Sequence, residues 1–201
     1  MDELSILQAT RLKGRVSPEA LAATLNRDQA TVTVAIAELG EAGLLVEGKS
    51  IRLTPAGRER LNDLLAEERL GVDASAISHT YNEFRDVNAR FKSLVSEWQL
   101  KGGEPNTHED ADYDADVLAR LERVHDAVLP IIGSAAEQLP RLSAYADKLS
   151  TAMERVSAGE TTWFTRPIID SYHTVWFELH EELILAAGLT RDQEAKAGAA
   201  E

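Results

Sequence analysis

The sequence predicts a mainly α-helical protein. A helix, turn, helix and short β-hairpin lie near the start of the chain, and an antiparallel helical bundle follows. Three observations predict this. Between Ser17 and Gly57, helix-start, helix-stop and turn residues follow one another in a regular order. From Ile77 onward, apolar residues recur every three or four positions over long runs, the period of an amphipathic helix. Hydrophobic residues make up 44% of the 201-residue chain, enough to bury a core.

The elements can be justified in order. Residues 3–13 put Leu4, Ile6, Leu7 and Leu12 on roughly one side of a helix that Gly14 ends. Ser17-Pro18-Glu19 starts the next one, with serine as N-cap, proline in the first helical position and an acid in the first turn. Leu21 and Leu25 face inward, and a turn follows at Asn26-Arg27. Asp28 caps a third helix whose buried stripe is Val32, Ile36 and Leu39. Gly43 suits the left-handed position that closes it. Leu44-Leu45-Val46 and Ser50-Ile51-Arg52-Leu53 read as paired strands, joined at Glu47-Gly48-Lys49 by a tight turn needing positive φ. Thr54 and Pro55 open a helix through about Arg69. The whole order is that of a winged helix-turn-helix.

The chain changes character at Gly71-Val72-Asp73, a hinge or cap. Residues 74–101 carry Ile77, Tyr81, Phe84, Val87, Phe91, Leu94 and Trp98 at helical spacing, and Gly102-Gly103 stops them. Residues 104–116 read as an acidic loop, 114–138 as a helix kinked at Pro130, and Pro140 to about Gly159 as another. Thr161–Pro167 reads as a loop, and the last helix runs from about Ile168 to Ala187. The expected organisation is therefore 1–70 as one domain, 71–190 as a bundle for dimerisation and effector sensing, and 191–201 as a frayed tail.

Charge and composition narrow the function. The net charge is −13, which argues against nucleic acid, but the acidity is uneven. Residues 1–70 balance at −2 and residues 71–201 at −11. A near-neutral first domain has room for a local basic patch. Cysteine is absent, so there is no disulfide framework and no thiolate metal site. No apolar run approaches the roughly 20 residues of a membrane span, and the opening residues lack the pattern of a signal peptide. A cytoplasmic location without membrane association is expected.

Leu25-Asn26-Arg27-Asp28-Gln29-Ala30-Thr31-Val32, then Leu39, Gly43-Leu44-Leu45 and Leu53-Thr54-Pro55-Ala56-Gly57-Arg58, resemble the MarR-type winged helix-turn-helix transcriptional regulators. The resemblance covers about residues 3–69. It implies a regulator that binds double-stranded DNA as a homodimer. Two departures stand out. Members of that family place a dimer-building helix before this module, and here only a few residues precede it, so dimerisation falls to the second half. Val34 stands where a basic residue is common in the family. In the second half, Trp98-Gln99, Glu104-Pro105-Asn106, Trp163 to Pro167 and Asp170 to Glu181 resemble an uncharacterised helical module of actinobacterial proteins. That likeness supplies no chemistry.

The candidate DNA contacts are Gln29, Thr31 and Thr33 for base edges or phosphates, and Arg27, Lys49 and Arg52 for the backbone. Each basic residue singly also fits a solvated surface charge. In the second half, Trp163, Arg166, Tyr172 and His173 form a candidate site for a small anionic effector. The competing reading is an arginine buried in an ion pair with Asp170 or Glu160. Glu122-x-x-His125 has the spacing of bundle metal sites but lacks a second pair, and His173 and His180 stand about 10.5 Å apart along a helix axis. These histidines read as hydrogen-bonded core residues. The acidic run Glu109 to Asp116 lacks the glycine and closing glutamate of a calcium loop. No catalytic motif is evident, so no enzyme, metal or cofactor is expected. A dimeric regulator is the leading reading. The alternative is a winged helix used for protein interaction or dimerisation in an accessory protein that does not bind DNA.

Overall fold

A computed structural model describes residues 2–196. The protein is mainly helical, as the sequence predicts, and the chain divides into two compact units with the break after Gly71.

The first unit comprises α1 (Glu3–Lys13), α2 (Pro18–Thr24), α3 (Gln29–Glu41), β1 (Leu45–Val46), β2 (Arg52–Leu53) and α4 (Pro55–Arg69). Its helix ends follow from capping chemistry. Asp2, Ser17, Asp28 and Thr54 each accept a backbone N–H from the first turn that they precede. Such caps contribute about 1 kcal/mol each. Gly14 and Gly43, at φ 70° and 74°, take the left-handed conformation that ends α1 and follows α3. Ile6, Leu7, Leu21, Val32, Ile51 and Leu61 form the fully buried centre.

The hairpin differs from the expected tight turn. β1 and β2 pair antiparallel, Leu45 opposite Leu53 and Val46 opposite Arg52, leaving residues 47–51 as the connection. Gly48 does not adopt positive φ, because a loop of this length closes without it. Ile51 instead turns inward and exchanges two backbone hydrogen bonds with Val16, at 2.7 and 3.2 Å. The link between α1 and α2 thereby becomes a third short edge of the hairpin.

The second unit comprises α5 (Ala74–Gln99), β3 (Leu100–Lys101), β4 (Glu104–Pro105), α6 (Ala111–Gln138), a 3₁₀ turn (Pro140–Ser143), α7 (Ala144–Ser157), α8 (Thr162–Thr165), α9 (Tyr172–Ala186) and α10 (Arg191–Lys196). Helices α5, α6, α7 and α9 share one apolar core. Its centre is aromatic. Trp176 stacks on Phe91 with ring centroids 4.2 Å apart and on Phe84 at 5.3 Å, and its indole N–H donates to Asn88 Oδ1 at 2.9 Å.

Five elements depart from the expected pattern. Gly102 and Gly103 both take positive φ and close the β3–β4 hairpin, in place of a plain acidic loop. Helix α6 begins at Ala111, earlier than expected, because Asp110 is its N-cap; it ends at Gln138 with Pro130 inside it, as the sequence predicts. The loop after Gly159 contains the single turn α8. Helix α9 begins at Tyr172, not at Ile168: Ile168 has φ 74° and is fully exposed, and a right-handed helix cannot run through it. Ser171 is the actual N-cap. The expected frayed tail holds a short helix through Lys196. Thr190 and Gln193 cap it reciprocally, the Thr190 N–H donating to Gln193 Oε1 at 2.8 Å and the Gln193 N–H to Thr190 Oγ1 at 3.3 Å. Residues 197–201 of that tail lie outside the described residues.

Candidate nucleic-acid interface

The α2–α3 connection is set by three residues. Asn26 takes φ 49°, a left-handed conformation that asparagine tolerates well. The Arg27 N–H reaches back to the Ala22 carbonyl at 3.0 Å, which leaves its side chain outside. Asp28 then accepts both the N–H and the hydroxyl of Thr31, at 2.9 and 3.1 Å. Those two donors hold the Asp28 carboxyl below its usual range, so it is anionic at the start of α3.

Helix α3 buries Val32 and Ile36 and presents Gln29, Ala30, Thr31, Thr33, Val34, Ala37 and Glu38 to solvent. The outward face expected from the sequence is the one observed. Its chemistry is more specific than the residue types imply. The Thr33 hydroxyl donates to the Gln29 carbonyl at 2.8 Å, and the Thr31 hydroxyl donates to Asp28. The Gln29 amide N–H₂ is 3.4 Å from Glu19 Oε1. The threonine hydroxyls of this face are therefore turned onto the protein and present methyl groups and acceptor oxygens outward, while the Gln29 amide keeps a second N–H beside its carbonyl oxygen. Phosphate oxygens only accept hydrogen bonds, so the threonine part of this face is poorly matched to backbone contacts. It is better matched to thymine methyls and to the exocyclic amines of adenine or cytosine in a major groove.

Positive charge comes from outside α3, which holds no Lys or Arg. Arg27, Lys49 and Arg52 are exposed in the same unit, the first before α3 and the others in and after the hairpin loop. Arg58 is exposed in the first turns of α4. Arg60 is engaged elsewhere, in a two-pronged ion pair with Glu3 at 2.9 and 3.2 Å.

The anion-site candidates of the second unit are placed differently from one another. Arg166 is exposed, whereas Tyr172 is completely buried and its hydroxyl shares a 3.2 Å hydrogen bond with His125 Nδ1. His173 is half-buried with its ring 5.9 Å from Phe91. Trp163 carries a cation on its face, but the cation is Arg155, 4.5 Å from the ring, which also pairs with Glu160 at 3.2 Å. Arg166 and Tyr172 thus do not face one ligand. Burial also pushes the His125 imidazole down and the Tyr172 phenol up, so both are neutral at pH 7.

Three polar clusters join residues that the sequence reading does not bring together. On α9, Glu178 and Glu182 are almost fully buried one turn apart. Arg141 pairs with Glu182 at 2.7 Å, Lys148 lies 3.8 Å from Glu178, and the Tyr145 hydroxyl donates to Glu182 at 3.4 Å. These charges balance, as buried charges must. Beside the second hairpin, Asn106 donates to the Trp98 carbonyl and to Asp114, and His108 pairs with Asp114 at 2.9 Å. An open groove of about 510 Å³ adjoins it, lined by Lys101, Asn106, Glu109, Asp110 and Asp112 among others. At α10, Glu194 meets Tyr81, which in turn meets His180. Among the described residues, no three His, Asp or Glu side chains gather as ligands for one metal ion. No helix there is long and apolar enough to cross a membrane.

No family model matches the chain, and neither a curated protein nor a solved structure matches it.

Proposed function

We propose that this protein is a DNA-binding transcriptional regulator whose first unit is a winged helix-turn-helix of the MarR-like kind. The second unit, an antiparallel helical bundle in this reading, pairs two copies in the cytoplasm and takes a small anionic effector. A homodimer presents two α3 helices to successive major grooves of double-stranded DNA, with the hairpin loops on the flanking backbone. The observation that carries the reading is α3 itself. It is capped by Asp28, pinned by Val32 and Ile36, left open along Gln29 to Ala37, and followed at once by a hairpin bearing Lys49 and Arg52. The test is a gel shift with a pool of random-sequence duplex DNA at low salt. Retention of DNA at micromolar protein or below supports the reading. No retention at any salt concentration removes it.

A second reading has its own observation. Val34 is 59% exposed between Ala30 and Ala37, so an uncharged strip runs along the open face of α3. Such a strip suits a protein partner. In that case a Val34→Asp change abolishes association with the partner or a second copy, and duplex DNA gives no shift.

A further inference from the structure

We propose that Tyr81, Arg85 and His180 form a carboxylate-binding seat, occupied in this structure by the chain's own Glu194, and open to a free monocarboxylate when α10 lets go. The proposal gives the anionic effector of the proposed function a site and a chemical class, and it stands whether or not α3 binds DNA.

The seat is built from two core helices. Tyr81 and Arg85 lie one turn apart on α5, and His180 comes from α9. The Tyr81 hydroxyl donates to Glu194 Oε2 at 2.6 Å, and Arg85 Nε stands 3.5 Å from the same oxygen. A tyrosine has one proton to donate, and here it points at Glu194. The 3.2 Å contact between Tyr81 and His180 Nε2 is then the histidine N–H donating to the phenolic oxygen. The direction is His180 to Tyr81 to carboxylate, so the imidazole polarises the donor that holds the anion. Burial keeps His180 neutral at pH 7, leaving Arg85 as the cation in contact with the carboxylate. Behind the polar groups stand apolar walls: the Phe84 ring is 5.2 Å from His180 and 5.3 Å from Trp176.

The occupant is a side chain of a short terminal helix, held by polar contacts. Helix α10 has six residues, and Glu194 is buried while Gln193, Ala195 and Lys196 are exposed. Its second anchor is also ionic: Arg191 pairs with Glu181 and lies 4.5 Å over the Phe177 ring. Buried apolar area normally holds a helix down, and this one buries a carboxylate instead. A tethered carboxylate on a ready-made seat has the chemistry of a ligand, and a free carboxylate with an apolar body offers the same contacts. Its advantage over a free competitor is the effective concentration that the tether supplies.

The experiment uses the full chain labelled with ¹⁵N, sodium benzoate as probe, benzamide as its neutral counterpart and sodium chloride to hold ionic strength constant. In Glu194→Ala, hydrogen exchange at residues 193–196 accelerates at least tenfold. Benzoate then gives saturable shifts at the Tyr81 and His180 amides, and benzamide gives none. The wild-type chain needs at least tenfold more benzoate for half-saturation, because Glu194 competes. Adding Tyr81→Phe to Glu194→Ala weakens benzoate at least tenfold. The Trp176 indole resonance, which reports its bond to Asn88, checks that the core is intact in each variant. Glu194→Gln, which keeps the volume, serves if the alanine variant loses that resonance. Two results overturn the proposal: unchanged exchange at α10 when the carboxylate is removed, or benzoate shifts no larger than those of benzamide.

Discussion

The Leu44 carbonyl oxygen occupies the space that a Cβ on Gly57 would need. That oxygen is not free to retreat. It accepts the Thr54 N–H at 3.0 Å and lies 3.2 Å from the Thr54 hydroxyl, which also donates to the Gly43 carbonyl at 2.7 Å. The start of α4 is thus pressed against the exit from α3, and only glycine fits between them. Gly57→Ala is expected to destabilise the first unit by about 2–3 kcal/mol, the usual cost of overpacking against backbone. Hydrogen exchange is the measurement that checks it. Amides of β2 and α4 should lose protection while those of α5 and α9 keep theirs. Equal protection in both proteins would show that the backbone gives way cheaply.

Trp176 and Asn88 provide a second test, in the other unit. Replacing the indole with Trp176→Phe leaves Asn88 Oδ1 buried without this donor and removes ring volume from the stack on Phe91. A loss of about 3 kcal/mol in urea unfolding is expected. Asn88→Leu in the same background should restore part of it, because a leucine needs no hydrogen bond. Strict additivity of the two changes would mean that the bond contributes nothing measurable.

Much of this architecture is legible in the sequence, for local reasons. Ser17, Asp28 and Thr54 are capping residues beside apolar periodicity, and capping is short-range chemistry. The ten buried residues of α5 follow the same simple period. What is not legible depends on distant partners or on turns with more than one reading. Gly102-Gly103 is a two-residue hairpin turn that reads as a mere stop unless Leu100 and Pro105 are paired. Thr190-x-x-Gln193 is a capping box in a segment whose alanines and charges suggest a frayed end. The polar interior of α9 is hidden because Glu178 and Glu182 look like surface acids, and their partners Lys148 and Arg141 lie some thirty to forty residues away in the chain. Arg166 has aromatic neighbours in sequence, yet the arginine that lies on Trp163 is Arg155.

His180 makes stability depend on pH in a defined direction. Burial, with Arg191, Lys92 and Arg85 nearby, depresses its pKa from 6.5 to about 4. The unfolded chain therefore binds a proton below pH 6.5 that the folded chain refuses until about pH 4. The contribution of a neutral His180 is fully present above pH 6.5 and is lost progressively as pH falls through that window. Between pH 7 and pH 5 the loss from this one group is about 2 kcal/mol. Urea unfolding at the two pH values, in wild type and His180→Gln, isolates it. The variant should lose about that much less on acidification, and an identical pH response in both would sink the assignment.

The proposed DNA contacts divide by chemistry, and so do their predicted effects. Arg27, Lys49 and Arg52 are exposed cations assigned to phosphates, and each phosphate neutralised contributes about −0.9 to the slope of log affinity against log salt. Their triple alanine variant should flatten that slope by about 3 per bound protomer and weaken all duplexes alike. Gln29 and Thr33 lie on the open face of α3 and are assigned to base edges. Their alanine variants should leave the slope nearly unchanged and instead erode discrimination between selected and random duplexes, by about 1–3 kcal/mol for each base edge left unread. The hydroxyl of Thr33 already donates to Gln29, so its outward contribution is a methyl group and an acceptor. Thr33→Val keeps the methyl and should cost less discrimination than Thr33→Ser, which keeps the hydroxyl. The reverse order would mean that the groove reads the hydroxyl oxygen and not the methyl. An unchanged salt slope in the triple variant would take the phosphate contacts away from the hairpin and from the start of α3.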